Sequence, residues 1–549
     1  MNGAPPRRGA PAPDDRVSWA GVSLRHRTVV LTAVGAATVL AFGLRLSLVL
    51  RPGHLLGIVQ YDDAVYVGAA IRIATGALPY RSFAFDQPPL VPLLLAPLGL
   101  LSHAIGSRQA MGAARLLVPL VAAANVGLLG WILRRRSALV VATACLILAA
   151  YPPDLLSSST VYLEPFLNLF CLLGAALLFD GDDLTSSRRR LLWSGAAFGL
   201  AGAVKIWAIF PVLILGLLCL SQPRRLRPWA AGVILGFLVP CGPFLLLAPG
   251  TFLHQVVLDQ MSRTDVVAVP LLARLVLITG VLIVPPVLMT QAQEVLGLAV
   301  AVGLALVLAA AFLILPRQSS PAPAQGWRAR HRMSPLERYA IASCALIVAV
   351  FMLPADFFFH YAAFLGPFLA LSLALAAARA LPLLGRPAAA AVTLALFVAV
   401  MHAALVVRGS PPATDPGPGI ARLIPAGACV VTDDPAYTLN ANRFVARAPG
   451  CPLVVDPLAV TLALSGGRVA NGGAARSAAA VGAWTGYLEH AQYLMLTPGS
   501  GRRIPWTAAM ERYVRRHFVP VARAPLLILK RAPVAPTAAT GIPLPPVVY

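Results

Sequence analysis

Apolar runs long enough to cross a bilayer, separated by short polar or arginine-rich breaks, recur along most of the chain. The first covers residues 28–50, and others follow at 111–133, 137–153, 160–179, 190–204, 206–221, 228–248, 271–290, 293–315, 338–355, 361–380 and 387–407. Helices of this length match hydrocarbon thickness, so the pattern predicts about 11–13 hydrophobic segments rather than a soluble core. Between the first two runs lies a long loop, 51–110. Within it, Asp62 to Thr75 reads as a helix lying at the interface and stopped by Gly76, and Gln87-Pro88-Pro89-Leu90 opens a half-helix to about residue 105. The stretch 190–221 reads as a helical hairpin with Lys205 at its tip. Pro285-Pro286 would disrupt a helix through 271–290. That run is therefore expected to be re-entrant or interfacial, which keeps the crossings in step with the basic loop at Arg328, Arg330 and Arg332.

After residue 408 the pattern changes. A Pro- and Gly-rich linker gives way to short β-like runs at Ala428-Cys429-Val430-Val431 and Leu453-Val454-Val455. Helical stretches follow at 477–490 and 505–517, with a closing strand at Leu526-Leu527-Ile528-Leu529. The expected fold class is an all-α polytopic membrane domain, 28–407, carrying a small extracytoplasmic α/β domain, 408–531. Residues 1–27 read as a disordered cytoplasmic tail and 532–549 as a second disordered tail.

Composition excludes a soluble globular protein, since 58% of the 549 residues are hydrophobic and only 12% charged. A net charge of +23 raises the possibility of nucleic acid. The basic residues, however, sit in short clusters between apolar runs with no basic aromatic surface, as membrane orientation requires. Arg25 and Arg27, Arg134-Arg135-Arg136, Arg188-Arg189-Arg190 and Arg224-Arg225 mark cytoplasmic turns, which places the first loop and the C-terminal region outside. Lys205 and Lys530 are the only lysines among 44 basic residues. Abundant Ala, Pro and Arg points to a GC-rich bacterial genome, and hence to a bacterial cytoplasmic membrane. Five cysteines fall in or beside apolar runs, whereas Cys429 and Cys451 lie in the polar region and can pair if it is extracytoplasmic.

The candidate chemistry gathers on the outer side. Asp62 and Asp63 sit at the start of the interfacial helix, sharing a face with Tyr66. Either acid could instead cap that helix. Lys205 interrupts an apolar stretch; an ammonium there costs about 2.5–3.5 kcal/mol on insertion scales unless it faces a polar cavity or an anion. Gln260 and Arg263 are one helical turn apart and suit a phosphate, while His360 and Tyr361 lie at the outer break between two runs. Tyr80, Arg81 and Asp86 share the first loop, and Glu164 opens a run from outside. Carboxylates suit a base that deprotonates a hydroxyl, and cations suit a departing phosphate.

Asp62-Asp63 after the first run, Gly76 to Tyr80, and Pro88-Pro89-Leu90 together resemble the first-loop signature of the GT-C superfamily of integral-membrane glycosyltransferases. The stretch from Gly199 to Lys205 and the pair His360-Tyr361 are similar to that group too, notably its protein mannosyltransferase-like and aminoarabinose transferase-like branches. The resemblance covers about residues 28–407. It implies inverting transfer of a sugar from a polyprenyl-phosphate donor to an extracytoplasmic glycan, lipid or protein hydroxyl. Asp62 matches the family's catalytic carboxylate, with Asp63 supporting it; Lys205, Arg263, His360 and Tyr361 would serve the donor phosphate. Tyr66, Tyr80, Arg81, Asp86, Glu164 and Gln260 would be substrate or loop residues. The pair is Asp-Asp where many relatives have Asp-Glu, which leaves open which acid is the base. Some members use a divalent metal, which Asp62 and Asp63 would then hold. Two rivals remain: a flippase for lipid-linked saccharides, which should show broken helices in inverted repeat, and a non-catalytic envelope assembly protein.

Overall fold

The computed structural model describes residues 24–220, 222–262, 268–282, 288–316, 332–354, 356–467, 473–498, 500, 503–523 and 525–533. Among these, seven helices are long and apolar enough to cross a membrane: Leu24–Val49, Ser107–Ile132, Pro223–Leu247, Gln291–Ile314, Pro335–Met352, Phe359–Leu383 and Gly385–Gly409. Shorter apolar helices at Ala138–Ala150, Glu164–Leu178 and Ile206–Cys219 join them, so the chain is a multi-pass membrane protein.

The ends of these helices sort into two faces. At one end, Arg135 pairs with Asp180 at 2.8 Å and Arg136 with Asp182 at 2.5 Å, on the small hairpin formed by Phe179–Asp180 and Asp183–Leu184. The Leu336 N–H donates to the Asp182 carbonyl there, joining the start of Pro335–Met352 to the same end. A capping box, Ser334 with Glu337, starts that helix, and Glu337 also holds Arg379 at 2.9 Å. The opposite end carries the Tyr61–Ala74 helix, the start of Glu164–Leu178, the break at Lys205 and the turn around His360.

Where the expected run 271–290 lies, the helix covers only Leu271–Thr279, about 14 Å at 1.5 Å per residue. Gly280 ends it in the left-handed conformation, at φ +67°. Ala268 bridges Asp356, and the Tyr151 hydroxyl donates to both Ile278 and Ala362 carbonyls, so both ends of this helix stay on the His360 side. Pro285-Pro286, Arg328 and Arg330, on which the expectation of a re-entrant or interfacial run rests, lie outside the described residues. The runs expected at 361–380 and 387–407 follow each other through a kink at Gly385, φ +60°. At Lys205 the chain turns in extended conformation, but its two helices diverge rather than forming a packed hairpin. Arg188–Val204 packs on Pro223–Leu247 and Glu164–Leu178, and the Ile209–Cys219 helix on Pro335–Met352.

The C-terminal region forms a four-stranded sheet in the order Val430–Thr432, Tyr493–Leu496, Leu527–Arg531, Phe518–Ala522. The first pair is parallel and the others antiparallel, with Tyr493 opposite Lys530. Helices Ala478–His490 and Ala508–His517 cover it. Leu453-Val454-Val455 is not a strand. Pro452 lacks a ladder donor just before it, and Asp456 just after it caps the Pro457–Ser465 helix instead. Tyr493–Leu496, buried at all four positions, supplies the missing strand. Cys429 and Cys451 are bonded.

Candidate active site

Asp62 and Asp63 occupy the first turn of Tyr61–Ala74, whose N-cap Gln60 makes no side-chain cap. Successive helical residues point about 100° apart, so the two acids face different surroundings. Asp63 is fully buried. Its Oδ2 accepts from Arg115 Nε at 2.9 Å and Nη2 at 2.5 Å and from the Thr160 hydroxyl. Arg115 Nη1 in turn donates to the His54 and Gly57 carbonyls at 2.7 and 2.8 Å, tying down the loop before the helix. Asp63 thus forms a buried ion pair with Arg115 and does not line the cavity described next. Asp62, one residue earlier, keeps a third of its side chain exposed to a cavity of about 310 Å³.

The floor of that cavity is a line of charges drawn from different elements. Lys205 Nζ donates to Glu164 Oε1 at 2.7 Å and lies 3.7 Å from the Trp207 ring centre and 4.3 Å from that of Tyr361. His360 Nδ1 is 3.1 Å from the same Glu164 oxygen, and His360 Nε2 is 3.5 Å from Asp62 Oδ2. The imidazole stacks on Tyr162 at 4.3 Å. Burial holds Asp62 above the ordinary carboxylate value, and Asp456 and Glu164 add to that; His360 and Lys205 pull the other way.

The roof comes from the C-terminal region. The Tyr61 hydroxyl donates to Asp456 Oδ1 at 2.6 Å and accepts from the Leu458 N–H at 3.1 Å. The Arg503 guanidinium lies 4.1 Å over the Tyr61 ring, with Nη1 3.1 Å from Asp434 Oδ2. Behind it, burial pushes Asp433 up to about 6, against its bonds to Thr497 and the nearby Arg503. Asp456 and Arg503 both line the cavity.

Of the expected site residues, Asp62, Tyr66, Asp86, Lys205, His360 and Tyr361 line one cavity, and Glu164 sits directly behind it. Gln260 Nε2 donates to the Asp86 carbonyl at 2.7 Å, so it fixes the loop. Tyr80 is buried against Phe85, Phe244 and Phe252 and bonds the Gln87 carbonyl, away from the cavity, while Arg81 is solvent-exposed. Arg263 lies outside the described residues. Arg115 and Thr160 bond Asp63 through its Oδ2 alone, and among the described residues its buried Oδ1 has no hydrogen-bond partner. Among the described residues no cluster of three or more His, Cys, Asp or Glu side chains could hold a metal. Sequence inspection missed Tyr61, Tyr162, Asp456 and Arg503. The first two adjoin residues it had singled out, whereas nothing local marks Asp456 or Arg503, which arrive from about 400 residues away in sequence.

No protein-family model matches the chain, and no curated protein matches it either. Among solved structures, it is similar to ArnT from Cupriavidus metallidurans bound to undecaprenyl phosphate, with a TM-score of 0.55 and 16% identity over 92% of this chain and 99% of that one. The apo state of the same protein gives 0.54 at 16% identity and the same coverage. The Saccharomyces cerevisiae protein O-mannosyltransferase Pmt1-Pmt2 complex bound to the sugar donor aligns over only 45% of this chain, with a TM-score of 0.32. The chain has the fold of ArnT, and at this identity the fold is what is shared.

Proposed function

We propose that this protein is an integral-membrane glycosyltransferase that moves a sugar from a polyprenyl-phosphate donor to an acceptor hydroxyl, with inversion. The observation that carries this reading is the cavity shared by the Asp62 carboxylate and the Lys205 ammonium, which reach it from separate helices. Asp62 accepts the proton of the acceptor hydroxyl as its oxygen attacks the anomeric carbon. Lys205 has N–H groups beyond the one spent on Glu164, and with the Tyr61-Arg503 roof and Tyr361 it offers charge and donors to the departing phosphate. A single displacement by a hydroxyl on the face opposite the phosphate inverts the configuration. ArnT, which shares the fold, has been seen bound to undecaprenyl phosphate, which supports a donor of that class.

The cavity would face the outside of a bacterial cytoplasmic membrane. The arginine-rich turns at Arg134–Arg136 lie at the other end, as the positive-inside rule places cytoplasmic turns. The Cys429–Cys451 disulfide fits an oxidising compartment for the C-terminal domain, 408–531, whose side of the cavity would receive an envelope glycan, lipid or protein acceptor.

The test uses full-length protein in nanodiscs with a panel of radiolabelled polyprenyl-phosphate sugars and cell-envelope acceptors. Asp62→Asn should lower transfer by about 100-fold or more while donor binding persists. The base must be ionised, and burial holds Asp62 above its ordinary value. Wild-type activity should therefore fade on acidification at a pH above that of an exposed aspartate. Full transfer by Asp62→Asn, or translocation of the lipid-linked sugar without transfer, would overturn the assignment.

A further inference from the structure

His360 stands between two carboxylates, and that placement is not one a phosphate ligand would have. Its Nε2 is 3.5 Å from Asp62 Oδ2 and its Nδ1 3.1 Å from Glu164 Oε1, so both ring nitrogens face acids. Each ring nitrogen has a single site, and a phosphate there would have to displace a carboxylate, whereas the Lys205 ammonium keeps N–H groups beyond the one spent on Glu164. The ring is also fixed. It stacks on Tyr162 at 4.3 Å and an interplanar angle of 19°, Tyr361 meets it edge-on at 4.9 Å, and only 7% of the side chain is exposed. Turning it towards the Lys205 side would break the stack and both polar contacts.

Resting on the glycosyltransferase reading above, we propose that His360 is the positioning and proton-accepting partner of Asp62, held in place by Glu164. In the transfer step the acceptor O–H bond breaks and its proton moves to Asp62 Oδ2. The acceptor oxygen forms its bond to the anomeric carbon, and the bond from that carbon to the donor phosphate breaks, its electron pair leaving with the phosphate. The proton then passes from Asp62 to His360 Nε2. The imidazolium is balanced by Glu164 on its far side and loses the proton to water in the open cavity, which returns Asp62 to its ionised form. The charged and titratable groups facing this pair include Tyr66 from Asp62's own helix, Glu164 and Tyr162 from one segment, Lys205 from the helix break, Tyr361 beside His360, and Asp456 from the C-terminal region. Glu164 is shared: Lys205 and His360 contact the same oxygen, which ties the geometry at the base to that at the phosphate.

The experiment is steady-state kinetics of full-length protein in nanodiscs, with a polyprenyl-phosphate sugar that the wild type turns over. His360→Gln and His360→Ala should lower kcat by about 100-fold with the donor KM within about twofold. Added imidazole should restore part of the kcat of His360→Ala and none of that of Asp62→Asn. Melting temperatures measured alongside identify a variant that has simply unfolded, in which case His360→Gln, which keeps a planar polar group, decides the matter. A rise of tenfold or more in donor KM with kcat preserved would overturn the proposal and make His360 a phosphate ligand. So would a folded His360→Ala variant whose lost kcat imidazole does not restore, or a His360→Gln variant with wild-type kcat. Wild-type protein that transfers no sugar at all would count against the glycosyltransferase assignment itself, which is a different outcome from any of these.

Discussion

At the scale of single residues, Asp62 and Asp63 show how one helical step separates two chemically identical groups. Asp63 makes charge-assisted bonds to Arg115 and Thr160 with no exposed surface, while Asp62 faces the cavity and carries its raised proton affinity there. Removing one partner of a buried ion pair leaves the other uncompensated and costs about 3–5 kcal/mol. Asp63→Ala should therefore lower the melting temperature sharply in detergent or nanodiscs, and activity should fall only because folded protein is lost. Asp62→Asn should melt within a few degrees of wild type. An Asp63→Ala protein as stable as wild type would show that Arg115 has other means of satisfaction.

At the scale of elements, the position of Lys205 is set by a glycine seam between Arg188–Val204 and Pro223–Leu247. A Cβ at Gly195 would lie 2.0 Å from the Trp229 carbonyl oxygen, one at Gly199 2.2 Å from that of Val233, and one at Gly236 2.1 Å from that of Ala196. Without glycine the backbones cannot approach this closely, and in lipid such close packing is a main source of helix association. Lys205 follows directly on this helix, so widening the seam moves the ammonium. Gly199→Leu should lower both the melting temperature and transfer. Gly202→Ala, whose Cβ would meet only the Phe237 ring at 3.5 Å, should leave both near wild type. If Gly199→Leu keeps full activity, the seam does not position Lys205.

At the scale of the whole molecule, the membrane bundle and the C-terminal region build one cavity between them. Tyr61, the residue before Asp62, is gripped by Asp456 and Leu458 and covered by Arg503. Tyr61→Phe removes two hydrogen bonds while keeping the ring under Arg503, and Arg503→Ala removes the cover and the pairing to Asp434. At saturating acceptor both should reduce kcat, Arg503→Ala more than Tyr61→Phe, in protein that remains folded; a change confined to acceptor KM would limit the C-terminal region to tethering.

The sequence by itself determined the membrane-spanning pattern, the helix after the first span and the break at Lys205. These depend on local composition, on apolar length and on where proline, glycine and charge interrupt it. Only the tertiary structure decided which aspartate meets the cavity, that His360 lies between carboxylates, that Tyr493–Leu496 rather than Leu453-Val454-Val455 joins the sheet, and that Asp456 and Arg503 close the site. Each of these is settled by a partner far away in sequence, and a residue's local pattern carries no record of what will pack against it.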